Sequence, residues 1–181
     1  FTDDVVVQVK GDDTRAEIDV RSVSRYGPFD LGANAARIRA LGWHLQLFVR
    51  PTDLAWVCTQ RARWGVPVVL DHMAGLHSDA AISVDEEASL RALTEAGAWV
   101  KLSGFYRLSM SGSFLPADAR IVQLHALFGD HMVWGSDWPH VMVKGAMPND
   151  GDICDLLGNW VSDEATRKRV LVDNPARLYG F

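Results

Sequence analysis

Four short apolar runs, beginning at residues 44, 66, 99 and 132, alternate along this chain with segments of helical pattern. The runs are His44-Leu45-Gln46-Leu47-Phe48-Val49, Val66-Pro67-Val68-Val69-Leu70, Trp99-Val100-Lys101-Leu102 and Met132-Val133-Trp134. Each is too short for a helix, and the continuous apolar run at 66–70 is that of a strand buried on both faces. A helix at 31–41 ends at Gly42, and Pro51 and Thr52 open a helix over 53–64 that Gly65 closes. Ser83 with Glu86 forms a capping box for a helix to Ala96, stopped by Gly97, and another helix is expected over 116–128. Strands separated by whole helices pair in parallel, because antiparallel neighbours need only a turn between them. Beyond the last run, 152–160 and 163–172 read as amphipathic helices, and Asn174-Pro175 as an N-cap with proline at the first helical position.

A doubly wound dinucleotide fold has no support, since no Gly-x-Gly-x-x-Gly follows a strand. Polar residues instead close several strands (Asp71-His72, Ser103 and Asp137), which favours an α/β fold of the TIM-type (β/α)8 barrel kind, where chemistry is assembled at strand C-termini. Residues 1–24 differ from the rest. Val5-Val6-Val7-Gln8-Val9 and the stretch 16–23 are strand-like, and the linker Lys10-Gly11-Asp12-Asp13-Thr14 is too short for a crossover helix. An antiparallel hairpin is expected there. A closed eight-stranded barrel typically needs ~250 residues and rarely fewer than ~200. The 181 residues are therefore expected to be one barrel domain, incomplete at its N-terminus, with 1–24 as an atypical segment. An incomplete ring leaves strand edges, to be covered by a further copy (a homo-oligomer) or by an upstream segment.

Composition narrows the partners. The net charge is −5 with no run of Lys or Arg, so neither nucleic acid nor an acidic membrane is an expected partner, and a small-molecule substrate is. No apolar stretch approaches a membrane span. Cys58 and Cys154 lie far apart without Cys-x-x-Cys spacing, which points to free thiols in a reducing cytoplasm. The seven tryptophans lie in apolar-periodic segments and are expected in the core.

The densest chemistry lies at the last strand, in Trp134-Gly135-Ser136-Asp137-Trp138-Pro139-His140. Gly135 permits close backbone approach, and Pro139 forbids continuation into a helix or central strand. A carboxylate at the end of a buried strand must be hydrogen-bonded, paired or metal-bound. From the residues alone, Asp137 either caps the following loop or serves a site.

Gly-Ser-Asp-Trp-Pro-His after an apolar run resembles the final barrel strand of the amidohydrolase superfamily, amidohydrolase-2 type. More narrowly, it is similar to the branch containing 2-pyrone-4,6-dicarboxylate lactonase and related sugar-lactone hydrolases. Three further stretches fit in order: Val66-Pro67-Val68-Val69-Leu70-Asp71-His72-Met73, Trp99-Val100-Lys101-Leu102-Ser103-Gly104-Phe105-Tyr106-Arg107, and Asp173-Asn174-Pro175-Ala176-Arg177-Leu178-Tyr179-Gly180-Phe181. The resemblance implies a hydrolase acting on a lactone or related cyclic ester of a small carboxylate-bearing or polyhydroxylated compound. It implies Asp137 as the base handling the water proton and His72 as an active-site histidine. It also implies Arg107 as a substrate-recognising arginine, since a guanidinium grips a carboxylate bidentately. Arg25 falls where the branch has another substrate arginine, and His140 either binds substrate or sits on the rim. Tyr106 is read as covering the pocket rim and Lys101 as filling polar barrel interior. Because neighbouring strand residues alternate, Asp71 and His72 are expected on opposite faces.

The chain departs from the pattern in two places. The superfamily's His-x-His pair is absent, since none of histidines 44, 72, 77, 125, 131 and 140 are two apart. With three protein ligands needed for catalytic zinc, the expected enzyme uses no metal; a hydrolase or decarboxylase with one divalent metal such as zinc is the alternative. An inactive partial barrel serving as an assembly subunit is the alternative from another class. Gly75 stands where the dicarboxylate lactonase has an arginine, which argues against a substrate with two carboxylates and leaves His77 as a partial replacement.

Overall fold

The computed structural model describes residues 3–11, 16–24, 33–78, 80–108, 117–140, 143 and 147–181. Arg25 therefore lies outside the described residues. The hairpin expected at the start is present, with β1 (Asp3–Gly11) antiparallel to β2 (Ala16–Ser24) in a two-stranded sheet of its own.

The four apolar runs form a second sheet: β3 (Leu45–Leu47), β4 (Val68–Leu70), β5 (Trp99–Leu102) and β6 (Met132–Trp134), in the order β3-β4-β5-β6. All three pairings are parallel, with Leu47 opposite Leu70, Leu70 opposite Val100 and Leu102 opposite Trp134. Helices alternate with the strands as the spacing demands: α1 (Ala33–Ala40), α2 (Leu54–Trp64), α3 (Val84–Glu95), α4 (Ala117–Phe128) and α5 (Asp150–Trp160). The capping box is made, Ser83 Oγ accepting from Glu86 N at 3.2 Å and Glu86 Oε2 from Ser83 N at 2.8 Å.

Period-two alternation divides the sheet's two faces. Val68, Leu70, Val100, Leu102 and Met132 turn to the helices and bury against residues such as Leu54, Leu90, Leu124 and Leu157. Val69, Trp99 and Val133 turn the other way, where Leu178 packs on them. Gln46 and Lys101 are joined, Lys101 Nζ donating to Gln46 Oε1 at 2.8 Å. The Trp99 face is closed by α7 (Asn174–Tyr179), whose Arg177 guanidinium lies 4.7 Å over the Trp99 ring.

Several local expectations need correction. The stretch 163–172 is not one α-helix: α6 (Glu164–Lys168), capped by Asp163, runs into a π-helical turn over Arg169–Asp173. Asn174 caps nothing. It is the first residue of α7, and its buried amide donates to Met132 O at 2.7 Å, tying the chain end to β6. Nor are all the tryptophans core, for Trp56 and Trp138 are exposed. Among the described residues no helix is long and apolar enough to cross a membrane.

Candidate active site

The ends of β4, β5 and β6 supply the polar cluster. After Leu70 the chain leaves the ladder through extended Asp71 and enters a tight turn at His72–Gly75, in which His72, Met73 and Ala74 all have positive φ. For residues with a Cβ such backbone costs roughly 1–3 kcal/mol each and persists only where packing over-determines it. Met73 and Ala74 are fully buried, and a side chain at Gly75 would overlap the carbonyl of Val49. The turn breaks the strand alternation, so the expectation that Asp71 and His72 face apart is wrong. Asp71 Oδ1 accepts the His72 N–H at 3.1 Å and lies 3.7 Å from His72 Nδ1.

His72 Nδ1 meets Ser103 Oγ, from the end of β5, at 2.9 Å, and Ser103 Oγ donates to Asp71 Oδ1 at 3.3 Å. Asp71 Oδ2 accepts from Gln46 Nε2 at 2.9 Å, and Lys101 Nζ lies 3.6 Å from Oδ1. Lys101 fills the polar interior, as expected, but does so as part of this network.

Asp137, beyond β6, has φ +70 and turns its carboxylate to the same side. Its Oδ1 lies 3.6 Å from His72 Nε2. Its Oδ2 accepts from Arg107 Nε and from the Tyr106 hydroxyl, both at 2.5 Å. Tyr106 is thus more than a rim cover, and no periodicity marks it; its only sequence signal is adjacency to Arg107. Its hydroxyl also lies 3.2 Å from His140 Nδ1, while His140 Nε2 lies 2.9 Å from Asp150 Oδ1. His140 is buried, so it faces Tyr106 and Asp150. Asp150, at the start of α5, carries no signal in the sequence. His77 is exposed, and its carbonyl accepts from Arg120 Nη2 at 2.7 Å.

The electrostatics follow the geometry. Burial lowers the His72 pKa and Arg107 and Lys101 add to this, while Asp71 and Asp137 pull the other way without cancelling it. Burial and the hydrogen bond to Asp137 push the Tyr106 hydroxyl up to about 12, which keeps it a donor. Burial opposes the Arg107 charge, yet the bond and charge of Asp137 outweigh it and raise the guanidinium further. A cavity of about 540 Å³ lies beside this cluster, lined by Trp138, His140, Met147 and Asp150 among others, but not by Asp137 or His72.

Among the described residues no three His, Cys, Asp or Glu side chains are grouped as a metal ion requires. At the strand ends His72 Nε2 and Asp137 Oδ1 lie 3.6 Å apart, and Asp137 also holds the Arg107 guanidinium. That set does not fit a zinc centre of three protein ligands and an open position.

Comparison with known proteins adds a lineage to the geometry. The profile of the family described as Amidohydrolase matches residues 9–181. The chain is 36% identical over 148 residues to a 4-sulfomuconolactone hydrolase of Rhizobium radiobacter, covering 78% of this chain and 49% of that protein. It is 32% identical over 161 residues to a 2-pyrone-4,6-dicarboxylate hydrolase of Comamonas testosteroni (80% and 51%), and 34% identical over 125 residues to a D-galactarolactone isomerase of Agrobacterium fabrum (66% and 41%). The chain thus spans about half the length of the curated relatives it matches. Among solved structures, a probable 2-pyrone-4,6-dicarboxylic acid hydrolase of Acinetobacter baumannii, with citric acid bound, superposes with a TM-score of 0.69 at 27% identity (81% and 56%). A zinc-bound amidohydrolase of Burkholderia multivorans, at TM-score 0.70 and 21% identity (84% and 57%), shares the fold.

Proposed function

The chain belongs to the amidohydrolase family, and from that premise we propose that it forms part of a hydrolase opening a lactone or related cyclic ester of a small carboxylate-bearing or polyhydroxylated compound. The observation that carries the proposal is the meeting of Asp137, His72 and Arg107 at the C-terminal ends of parallel strands. The likeness to two lactone hydrolases supports it.

In the proposed reaction Asp137 is the general base. Tyr106 and Arg107 hold Oδ2, and Oδ1, on the His72 side, takes a proton from water. The water oxygen bonds to the acyl carbon as that proton leaves, and collapse of the tetrahedral oxyanion breaks the bond from acyl carbon to ring oxygen. The released alkoxide takes the proton back, so lactone and water give a hydroxy acid. Arg107, a fifth exposed with only its Nε on Asp137, carries the positive charge that grips the substrate's anionic group or the oxyanion. His72 binds at the reacting end, Arg25 keeps a substrate role by resemblance, and His140 acts on the site through Tyr106. No cofactor enters the scheme. Free Cys58 and Cys154 support a cytoplasmic setting.

The likeness to a D-galactarolactone isomerase favours a second reading, in which a sugar lactone is isomerised. Turnover of a panel of aliphatic, unsaturated and sugar lactones by the intact protein, with product masses, separates the two, for only hydrolysis adds one water. Turnover that a chelator abolishes and zinc restores would support the metal-dependent alternative. A well-folded intact protein inert to the whole panel would support the assembly subunit.

A further inference from the structure

His72 is held on three sides. Its Nδ1 meets Ser103 Oγ at 2.9 Å, Phe48 packs edge-on with ring centres 4.8 Å apart, and Gly104 backs so closely that an added Cβ would stand 2.6 Å from Nδ1. The ring is thereby fixed with Nδ1 toward Ser103 and Nε2 toward Asp137.

Ser103 is buried and has one hydroxyl proton for two neighbours, Asp71 Oδ1 at 3.3 Å and His72 Nδ1 at 2.9 Å. A carboxylate only accepts, so the first bond exists only if serine donates it. The second then exists only if Nδ1 carries a hydrogen. The reverse arrangement, with serine donating to Nδ1, sets a serine lone pair against a carboxylate oxygen, and low-dielectric surroundings magnify that repulsion. Gln46 cannot relieve it by turning its amide over, because its Oε1 already accepts from Lys101 while its Nε2 donates to Asp71.

We propose that Asp71 and Ser103 are positioning residues that fix neutral His72 as its Nδ1–H tautomer, so that Nε2 offers a lone pair on the side of Asp137 Oδ1. Burial keeps the ring neutral at neutral pH, in line with its lowered pKa. Nε2 and Oδ1 stand 3.6 Å apart, beyond hydrogen-bond range, as two acceptors facing one space. A water molecule can satisfy both, giving one O–H to each, with its oxygen lone pairs free to attack. For its catalytic meaning the inference rests on the hydrolase proposal. Within it, His72 holds the attacking water beside Asp137.

The test is the tautomer itself, read from two-bond proton–nitrogen correlation spectra of the ¹⁵N-labelled intact protein above the pH where the ring titrates. His72 is identified by the signals lost in His72→Gln. The expected pattern has Nδ1 at the shift of a protonated nitrogen and Nε2 far downfield, as a bare one. Asp71→Ala removes the acceptor that holds the serine proton, frees that proton for Nδ1 and should shift the pattern toward exchange of the two nitrogens; Ser103→Ala should bring both to intermediate values. Protonated Nε2 in the wild-type protein overturns the proposal, as do shifts unchanged in both variants. The wild-type spectrum decides even if a variant fails to fold. Turnover is not consulted, so a wrong tautomer leaves lactone hydrolysis standing, and an inert lactone panel leaves the tautomer standing.

Discussion

Asp137→Asn isolates the charge of the proposed base from its shape. The two donors on Oδ2, Arg107 Nε and the Tyr106 hydroxyl, can be satisfied only by an oxygen, so the new amide must place its carbonyl there. Its NH₂ then takes the place of Oδ1, facing His72 Nε2. Geometry survives while the proton acceptor is replaced by a donor. Loss of a general base costs ~10²–10⁴-fold in turnover, or about 2.7–5.4 kcal/mol of barrier at 1.36 kcal/mol per decade. Stability should change far less, because both hydrogen bonds to position 137 persist and only their charge assistance is lost, about 1 kcal/mol. Asp137→Ala should be the less stable variant, since it strands two partly buried donors at roughly 1–3 kcal/mol of desolvation. Steady-state kinetics on whichever lactone the intact protein turns over, with thermal melts of both variants, form the assay. An Asn variant within tenfold of wild-type turnover, with an unaltered melt, would refute the base assignment. If the Asn variant instead loses as much stability as the Ala variant, Asp137 is a structural anchor.

Arg107→Ala should raise KM well above its effect on kcat, if the guanidinium grips an anionic group, and Arg107→Lys should restore only part because one ammonium cannot supply the planar fork. Gly104→Ala should lower both stability and turnover: at φ +61 a side chain is strained by roughly 1–2 kcal/mol, and its Cβ would push on the His72 ring. An unperturbed His72 spectrum in a folded Gly104→Ala protein would contradict that packing. Burial holds His44, His72 and His131 below their ordinary value of 6.5. The unfolded chain therefore takes up protons first as pH falls, and stability should be full above pH 6.5 and decline from there down to the depressed folded values. Melting temperature against pH checks this, and His72→Gln should shallow the decline. Residues 1–181 expressed alone should self-associate through the outer edges of β3 and β6, each of which has one partner in the described sheet; sedimentation as a single cooperative monomer would rule that out.

The fold was legible because it rests on periodicity. Val68, Val69 and Leu70 are all fully buried, as an uninterrupted apolar run requires, and strand–helix spacing alone implied parallel pairing. The expected strands are longer than the paired ones for a physical reason. Pro67 has no N–H to give to a ladder, though its carbonyl accepts from Leu45 N at 2.8 Å, and Asp71 N still reaches Leu47 O at 2.8 Å. Asn174 was misread because Asn-Pro is the signature of a cap, and only the tertiary contact with Met132 O reveals that its amide is committed elsewhere.

The candidate site was legible where polar residues stand at a strand end, at His72, Ser103 and Asp137, and illegible where the backbone leaves its regular period. Strand alternation separates Asp71 from His72, but alternation presumes extended backbone, and His72 adopts φ +45 with two more left-handed residues behind it. Nothing in Asp-His-Met-Ala-Gly announces that strain, since residues with a Cβ disfavour it. What enforces it is packing: Met73 and Ala74 are fully buried, and the Gly75 backbone lies on Val49, distant in sequence. Asp137 and His140 repeat the case, at φ +70 and +55, and they face Tyr106 from either side. The strained residues are thus also those that aim the polar groups. Relaxing them would return His72 and Asp137 to strand-like directions and part the pair that now stands 3.6 Å apart. Strain at these turns is what brings the polar groups of three parallel strand ends within reach of one another.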